Sequence, residues 1–220
     1  MTALPDPAML IVLLAAIAIA PFVAIAVTSY VKLVVVFMLI RNALGVQNIP
    51  PNMALNAIAI LLSVYIMQPV AKGAYEAVRD KPIASQDLRE LEAMVTLATE
   101  PVRNFLLKNT SQRERQFYVN AVRGLWSKED AAAIMGNEFM ILIPAFITSE
   151  LEDAFKIGFL LFLPFIVIDL VVSNILLAMG MMMVSPMTIS LPFKLFLFVS
   201  VNGWQRLIHG LIFSYAGAAP

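Results

Sequence analysis

Cysteine is absent from the 220 residues, and with it go disulfides, thiolate metal sites and cysteine nucleophiles. Histidine is nearly absent: a single His209 leaves little scope for a metal site built on imidazoles. Net charge is missing too, since 15 basic and 15 acidic residues cancel, so no basic footprint points to nucleic acid. Charged residues are scarce at 14%, against about 25% in a soluble domain. No Lys or Arg precedes Lys32. A secretory signal needs a positive region ahead of its apolar core, so the N-terminal apolar run is read as a retained helix. No nucleotide-binding loop, metal-ligand set or nucleophile–base spacing occurs, so neither an enzyme nor a bound cofactor is expected.

What is there is apolar. The chain is 60% hydrophobic with a mean hydropathy of +0.84, the composition of a membrane protein or of an obligate part of a membrane assembly. Of its 30 acidic and basic residues, 20 lie between Lys72 and Glu138, ten of each sign. This divides the chain into an apolar helical hairpin over 1–71, a polar helical insert over 72–138 and a second apolar hairpin over 139–220. The fold class is all-α, with long kinked helices of membrane type. Neither β-hairpin signals nor internal repeats are visible.

Local signals place the helices. Ala8 to Val27 reads as one helix bent near Pro21, continuing past Thr28 to Tyr30 into Leu33–Ile40 and ending at Gly45. Asn52 can cap a helix from Met53 to about Ala71. In the insert, Ser85 and Thr99–Pro101 read as helix starts, and Ser111–Glu114 and Ser127–Asp130 have capping-box spacing. Ser149–Glu152 has it again. The run from Ile157 to Val184 carries a single charge, Asp169, with a kink expected at Pro164. Ser185–Pro192 reads as a turn, and a last helix starts near Phe193. Lys32 and Arg41 between the first two apolar segments put that link in the cytoplasm, which sends the insert to the periplasmic side.

The apolar lengths fit a bilayer poorly. At about 1.5 Å per residue the central run would be ~42 Å long and Phe193–Val201 only ~14 Å, against a hydrocarbon core of ~30 Å. Breaks expected at Pro144, Pro164, Pro186 and Pro192 free backbone groups that lipid cannot satisfy. Much of the apolar surface after Ile143 is therefore expected to face neighbouring chains and a central channel, with the assembly raised partly out of the membrane plane.

Three stretches are recognisable together: TSYVKLVVVFMLIRNALGVQNIPPNMALN (28–56), IPAFITSELEDAFKIGFLLFLPFIVIDLVVSNILLAMGMMMVSPMTISLPFKLFLFV (143–199) and NGW (202–204). They resemble the FliP/SctR family, core export-apparatus proteins of bacterial flagella and of type III secretion injectisomes. Lacking a cleaved signal, the chain looks more like an injectisome member. The resemblance implies a virulence-associated protein of the bacterial inner membrane. It also implies a ring of five copies joined by two smaller membrane partners, passing unfolded secreted proteins through its centre and binding no nucleic acid. It matches Met181, Met182 and Met183 to the family's pore gasket, and Glu150, Asp169 and Lys194 to polar positions of its C-terminal half.

Each of these residues also has a plainer reading. Methionine clusters commonly fill cores, although the same softness suits a seal that deforms around varied polypeptides. Asp169 and Lys194 could form a proton relay, or a structural ion pair, most simply across subunits, that fixes neighbour geometry. Glu150, Glu152, Asp153 and Lys156 read as the acidic start of a helix, favoured by its dipole. His209, near Trp204 and Tyr215, reads as interfacial. The competing class is a small-solute transporter with Asp169 as its coupling residue, although the paired broken helices of such proteins are not visible.

Overall fold

The computed structural model describes residues 7–79, 88–127, 129, 131 and 134–216. Among these residues there are helices and no strands. In chain order they are α1 Pro7–Ala26, α2 Tyr30–Ala43, α3 Asn52–Arg79, α4 Leu88–Asn109, α5 Gln112–Leu125, α6 Phe139–Ala178, α7 Pro186–Ser200 and α8 Gly203–Ala216.

α2 is the centre of the packing because it is apolar on nearly every side, and such a helix must be buried. Leu33, Val36, Phe37 and Ile40 are each at most 2% exposed, worth about 1.5–3 kcal/mol apiece. They meet Leu55 and Ala59 of α3, Ala154 and Phe165 of α6, Phe198 of α7, and Leu207 and Leu211 of α8. A second cluster joins Leu106 of α4 to Leu142 and Phe146 of α6. A third joins Val122 of α5 to Ile141 of α6.

Glycine sets the closeness of α2 and α6. A Cβ on Gly158 would lie 2.3 Å from Leu39 Cδ1 and 3.1 Å from Leu39 Cβ. The Cδ1 end can rotate away, but the Cβ moves only with its helix. Gly158→Ala is therefore expected to lose about 1–3 kcal/mol by overpacking, against ~1 kcal/mol gained in helix propensity. A thermal melt of the detergent-extracted protein should show the loss, and Leu39→Ala in the same chain should recover part of it.

The helix ends differ from the sequence reading in several places. Pro21 stays inside α1, and a break follows it at Val27–Ser29. There Ile17–Ala26 and Tyr30–Ala43 diverge by 63°, and the buried Ser29 hydroxyl pins the corner by donating to Ser63 Oγ at 3.2 Å. Gly45 ends α2 as expected, at φ +74°. Asn52 is occupied otherwise than as a cap, its Oδ1 accepting from the Arg41 guanidinium. α3 runs past Ala71 to Arg79. Thr99–Pro101 starts nothing: Pro101 lies inside α4, and the Thr99 hydroxyl bonds back to the Val95 carbonyl. Ser111 does cap α5, its Oγ accepting from Glu114 N–H at 3.2 Å. Ser85, and Lys128 and Asp130 of the other capping signal, lie outside the described residues.

The main correction concerns α6. It is one 40-residue helix with Pro144 and Pro164 inside it, about 60 Å long. Its first half is held by α2, α4 and α5, and a proline is tolerated where neighbours limit the gain from breaking. Ser149–Glu152 is thus mid-helix rather than a cap: Ser149 Oγ donates to the Ala145 carbonyl and accepts from Ser111 N–H. The start is instead Glu138, whose carboxylate takes the N–H groups of Met135 and Gly136 at 2.9 and 2.8 Å. Slight burial pulls that carboxyl up, but backbone N–H groups around it outweigh this and hold it below its ordinary value. The anchor is accordingly present at neutral pH and weakens only as acid reaches the lowered value.

Ser185–Pro192 is not a turn. α7 begins at Pro186, where a missing N–H costs nothing, and runs through Pro192. The break falls later, at Val201–Asn202, where Asn202 has φ +52° and α7 and α8 diverge by 58°. Among the described residues two helices, α3 and α6, are long and apolar enough to cross a membrane, or up to four spans if each bent pair counts as one.

Candidate functional site

The end of α6 is a built hairpin tip. Gly180 takes φ +73°, its N–H reaching the Leu177 carbonyl at 3.0 Å while Met181 N–H reaches that of Leu176 at 2.9 Å. These two bonds make a Schellman cap. The chain then turns tightly, with Met182 N–H on the Gly180 carbonyl, and enters α7 at Pro186. The consequence is that the methionines point away from the fold. Met181, Met182 and Met183 are 40%, 82% and 100% exposed, so they fill no core within the chain.

Just behind the tip, α6 and α7 are stapled. Lys194 Nζ lies 2.6 Å from Asp169 Oδ2, and the Ser190 hydroxyl donates to Asp169 Oδ1 at 2.6 Å. Lys194 is 3% exposed and also points its ammonium at the Ala43 carbonyl, 3.4 Å away. The pair closes inside one chain rather than across subunits, so its need for a partner is not a reason to oligomerise. Both Asp169 oxygens are engaged, one by Lys194 and one by Ser190. Ser190, on the same face of α7 as Lys194 one turn later, was not singled out from the sequence.

Glu150 belongs to a separate site, deeper and at mid-helix. Its side chain is fully buried and its Oε1 lies 2.9 Å from Lys32 Nζ, an ion pair whose angle falls short of a hydrogen bond. Oε2 accepts from the Tyr215 hydroxyl. Lys32 sits over the Tyr215 ring at 4.4 Å and 3.6 Å from Asp153, while Phe105 stacks on that ring. One buried node thus joins α2, α4, α6 and α8. Glu152 and Lys156, their neighbours in sequence, pair with each other on the surface.

Lys32 is the residue the sequence reading placed wrongly. It was counted as a loop charge, yet it is buried on α2 with its charge met by Glu150, so it carries no weight in orienting the chain. Its position among six apolar neighbours was the available signal, since a lysine inside an apolar helix needs a partner. His209 is exposed.

The geometry is that of a helical hairpin, internally ion-paired, presenting a soft apolar tip. Known proteins are similar to this chain along the stretch that builds it. The FliP family profile matches residues 13–211. Yop proteins translocation protein R of Yersinia pestis is 50% identical over 99% of this chain and all of its own length. Hypersensitivity response secretion protein HrcR of Ralstonia nicotianae is 46% identical, covering 94% of this chain and 97% of its own. Virulence protein YscR of Salmonella typhimurium is 44% identical, covering 97% and 99%. The match takes in the methionine tip and both ion-paired sites, and it runs the length of the relatives: this chain belongs to the FliP/SctR family, on its injectisome side.

Proposed function

We propose that the chain is one subunit of the export gate of a type III secretion system. About five copies and two smaller membrane proteins form a ring in the bacterial inner membrane, through which unfolded proteins pass. The observation that carries this reading is the methionine tip: three consecutive methionines, exposed, on a loop fixed by a helix cap and an ion-pair staple. Thioether chains are flexible and polarisable, so copies meeting on an axis would close against ions and still yield to a passing polypeptide. The names of the relatives, which speak of translocation and secretion, support the same reading. So does the uncovered apolar surface of α6, where Phe159, Leu160, Val167, Leu170 and Leu177 are 56–65% exposed.

A helix of about 60 Å exceeds a hydrocarbon core of ~30 Å twofold. We therefore place much of α6 against neighbouring copies, with the polar 72–138 insert on the periplasmic side and the ring raised partly out of the membrane. Single introduced cysteines along 157–184 test this: in the assembled complex they should not report a continuous lipid-facing stripe.

The seal has its own test. Replacing Met181, Met182 and Met183 together by Ala should leave the co-expressed complex assembled and make it leak ions and small solutes when reconstituted in vesicles. A wild-type leak rate in an intact complex would sink the gasket role. The native mass of the extracted particle, with partners co-expressed, checks the ring itself.

A further inference from the structure

A cavity of about 510 Å³ opens between α2, α6, α7 and α8, well inside the size range of ligand sites, about 300–1,000 Å³. Its wall is apolar, with Leu161, Phe165, Leu197 and Phe198 among its residues, and it holds a single charge, Arg206. That guanidinium is exposed and has no ion-pair or hydrogen-bond partner among the described residues. A permanent cation at the mouth of an apolar slot matches an anionic amphiphile, since guanidinium binds phosphate oxygens in a forked geometry.

Among the described residues, the chain's apolar helices offer no such occupant. Among the described residues, every carboxylate on α1, α2, α3, α6, α7 and α8 already has a cation: Glu76 with Lys72, Glu150 with Lys32, Glu152 and Asp153 with Lys156, and Asp169 with Lys194. A second copy could bring an apolar helix to the slot, yet not one bearing a spare carboxylate for Arg206. The membrane supplies both parts in one molecule. We propose that this cavity is a structural lipid site, holding one acyl chain of an anionic phospholipid between α6 and α8 with its headgroup phosphate on Arg206.

Filled in this way, the site would join α8 to the α6–α7 hairpin at a crossing that protein contacts leave open. Two glycines frame it differently. A Cβ on Gly203 would strike the Phe198 ring at 2.3 Å, whereas a Cβ on Gly210 meets nothing within 4 Å. Gly210→Leu is therefore a plug that enters the slot without a clash, and it replaces a poor helix former with a good one.

The reporter is already present. Trp204 adjoins the wall residue Gly203 and packs on another, Phe198, at 5.4 Å, and the chain has only two tryptophans. With Trp126→Phe, the full chain is reconstituted in phosphatidylcholine nanodiscs doped equally with brominated phosphatidylglycerol or brominated phosphatidylcholine, and Trp204 fluorescence is read. Phosphatidylglycerol should quench more strongly at equal content. Arg206→Gln should weaken its apparent affinity roughly ten-fold, the loss of one charge-assisted contact. Gly210→Leu should abolish the excess while leaving the melting temperature unchanged or raised. Equal quenching by the two lipids, or an excess that survives both substitutions, overturns the proposal and gives the cavity to a protein partner.

Discussion

Glu150→Ala should cost about 3–5 kcal/mol of stability, the usual consequence of leaving one member of a buried pair alone. The value belongs near the lower end, because Lys32 would keep the Tyr215 ring at 4.4 Å and the half-exposed Asp153 at 3.6 Å. The loss should appear as a large fall in the denaturation midpoint, and in cells as a failure to accumulate. Glu152→Ala is the control. Its bond to Lys156 has the same 2.9 Å length as that of Glu150 to Lys32, but both partners are exposed, and solvent screens such pairs so that they contribute little. Replacing both buried charges, as Lys32→Met with Glu150→Leu, should restore most of the stability, since apolar residues of similar volume commonly replace a buried pair without loss. If Glu150→Ala and Glu152→Ala behaved alike, the buried node would have no energetic meaning.

Asp169→Ala should have the second largest effect, about 3 kcal/mol on the same grounds, reduced somewhat because the Asp169 side chain is 38% exposed. It strands the Lys194 ammonium, 3% exposed, with only the Ala43 carbonyl at 3.4 Å. The damage should be local. α7 is held to α6 by this staple directly behind the methionine tip, so secretion should fail at expression levels where the Glu150 variant is already degraded. Lys194→Met in the same chain should recover part of the stability, because no buried charge is then left. A double-mutant cycle reads the coupling directly; simple additivity of the two losses would mean that the staple contributes nothing.

The two sites were unequally legible. Asp169 stood out because a carboxylate amid so long an apolar run demands a partner, and Lys194 was the first cation after it. Glu150 was recognised by resemblance, but its partner was not: Lys32 is 118 positions away in the chain, and no periodicity reports so distant a contact. The capping spacing at Ser149 misled for a physical reason. A serine followed three residues later by glutamate also occurs inside helices, where the hydroxyl bonds back to the preceding turn, as Ser149 does to Ala145. Prolines misled in the same direction. Pro144, Pro164 and Pro192 looked like breaks, yet each lies inside a helix, while the true corners fall at Ser29 and Asn202.

Composition and pattern alone determined that this chain is helical, apolar and divided by a polar middle, because hydropathy and charge are sums over local residues. They also determined the methionine run and, through its resemblance, the family. Only the tertiary structure decided that α6 is one continuous helix from Phe139 to Ala178, that the Asp169–Lys194 pair closes within a single chain, and that Lys32 is a core residue instead of a topogenic charge. Those outcomes depend on which helices meet. A proline stays helical when its neighbours hold the rod, and a charge is buried only when another helix brings its counterion within about 3 Å.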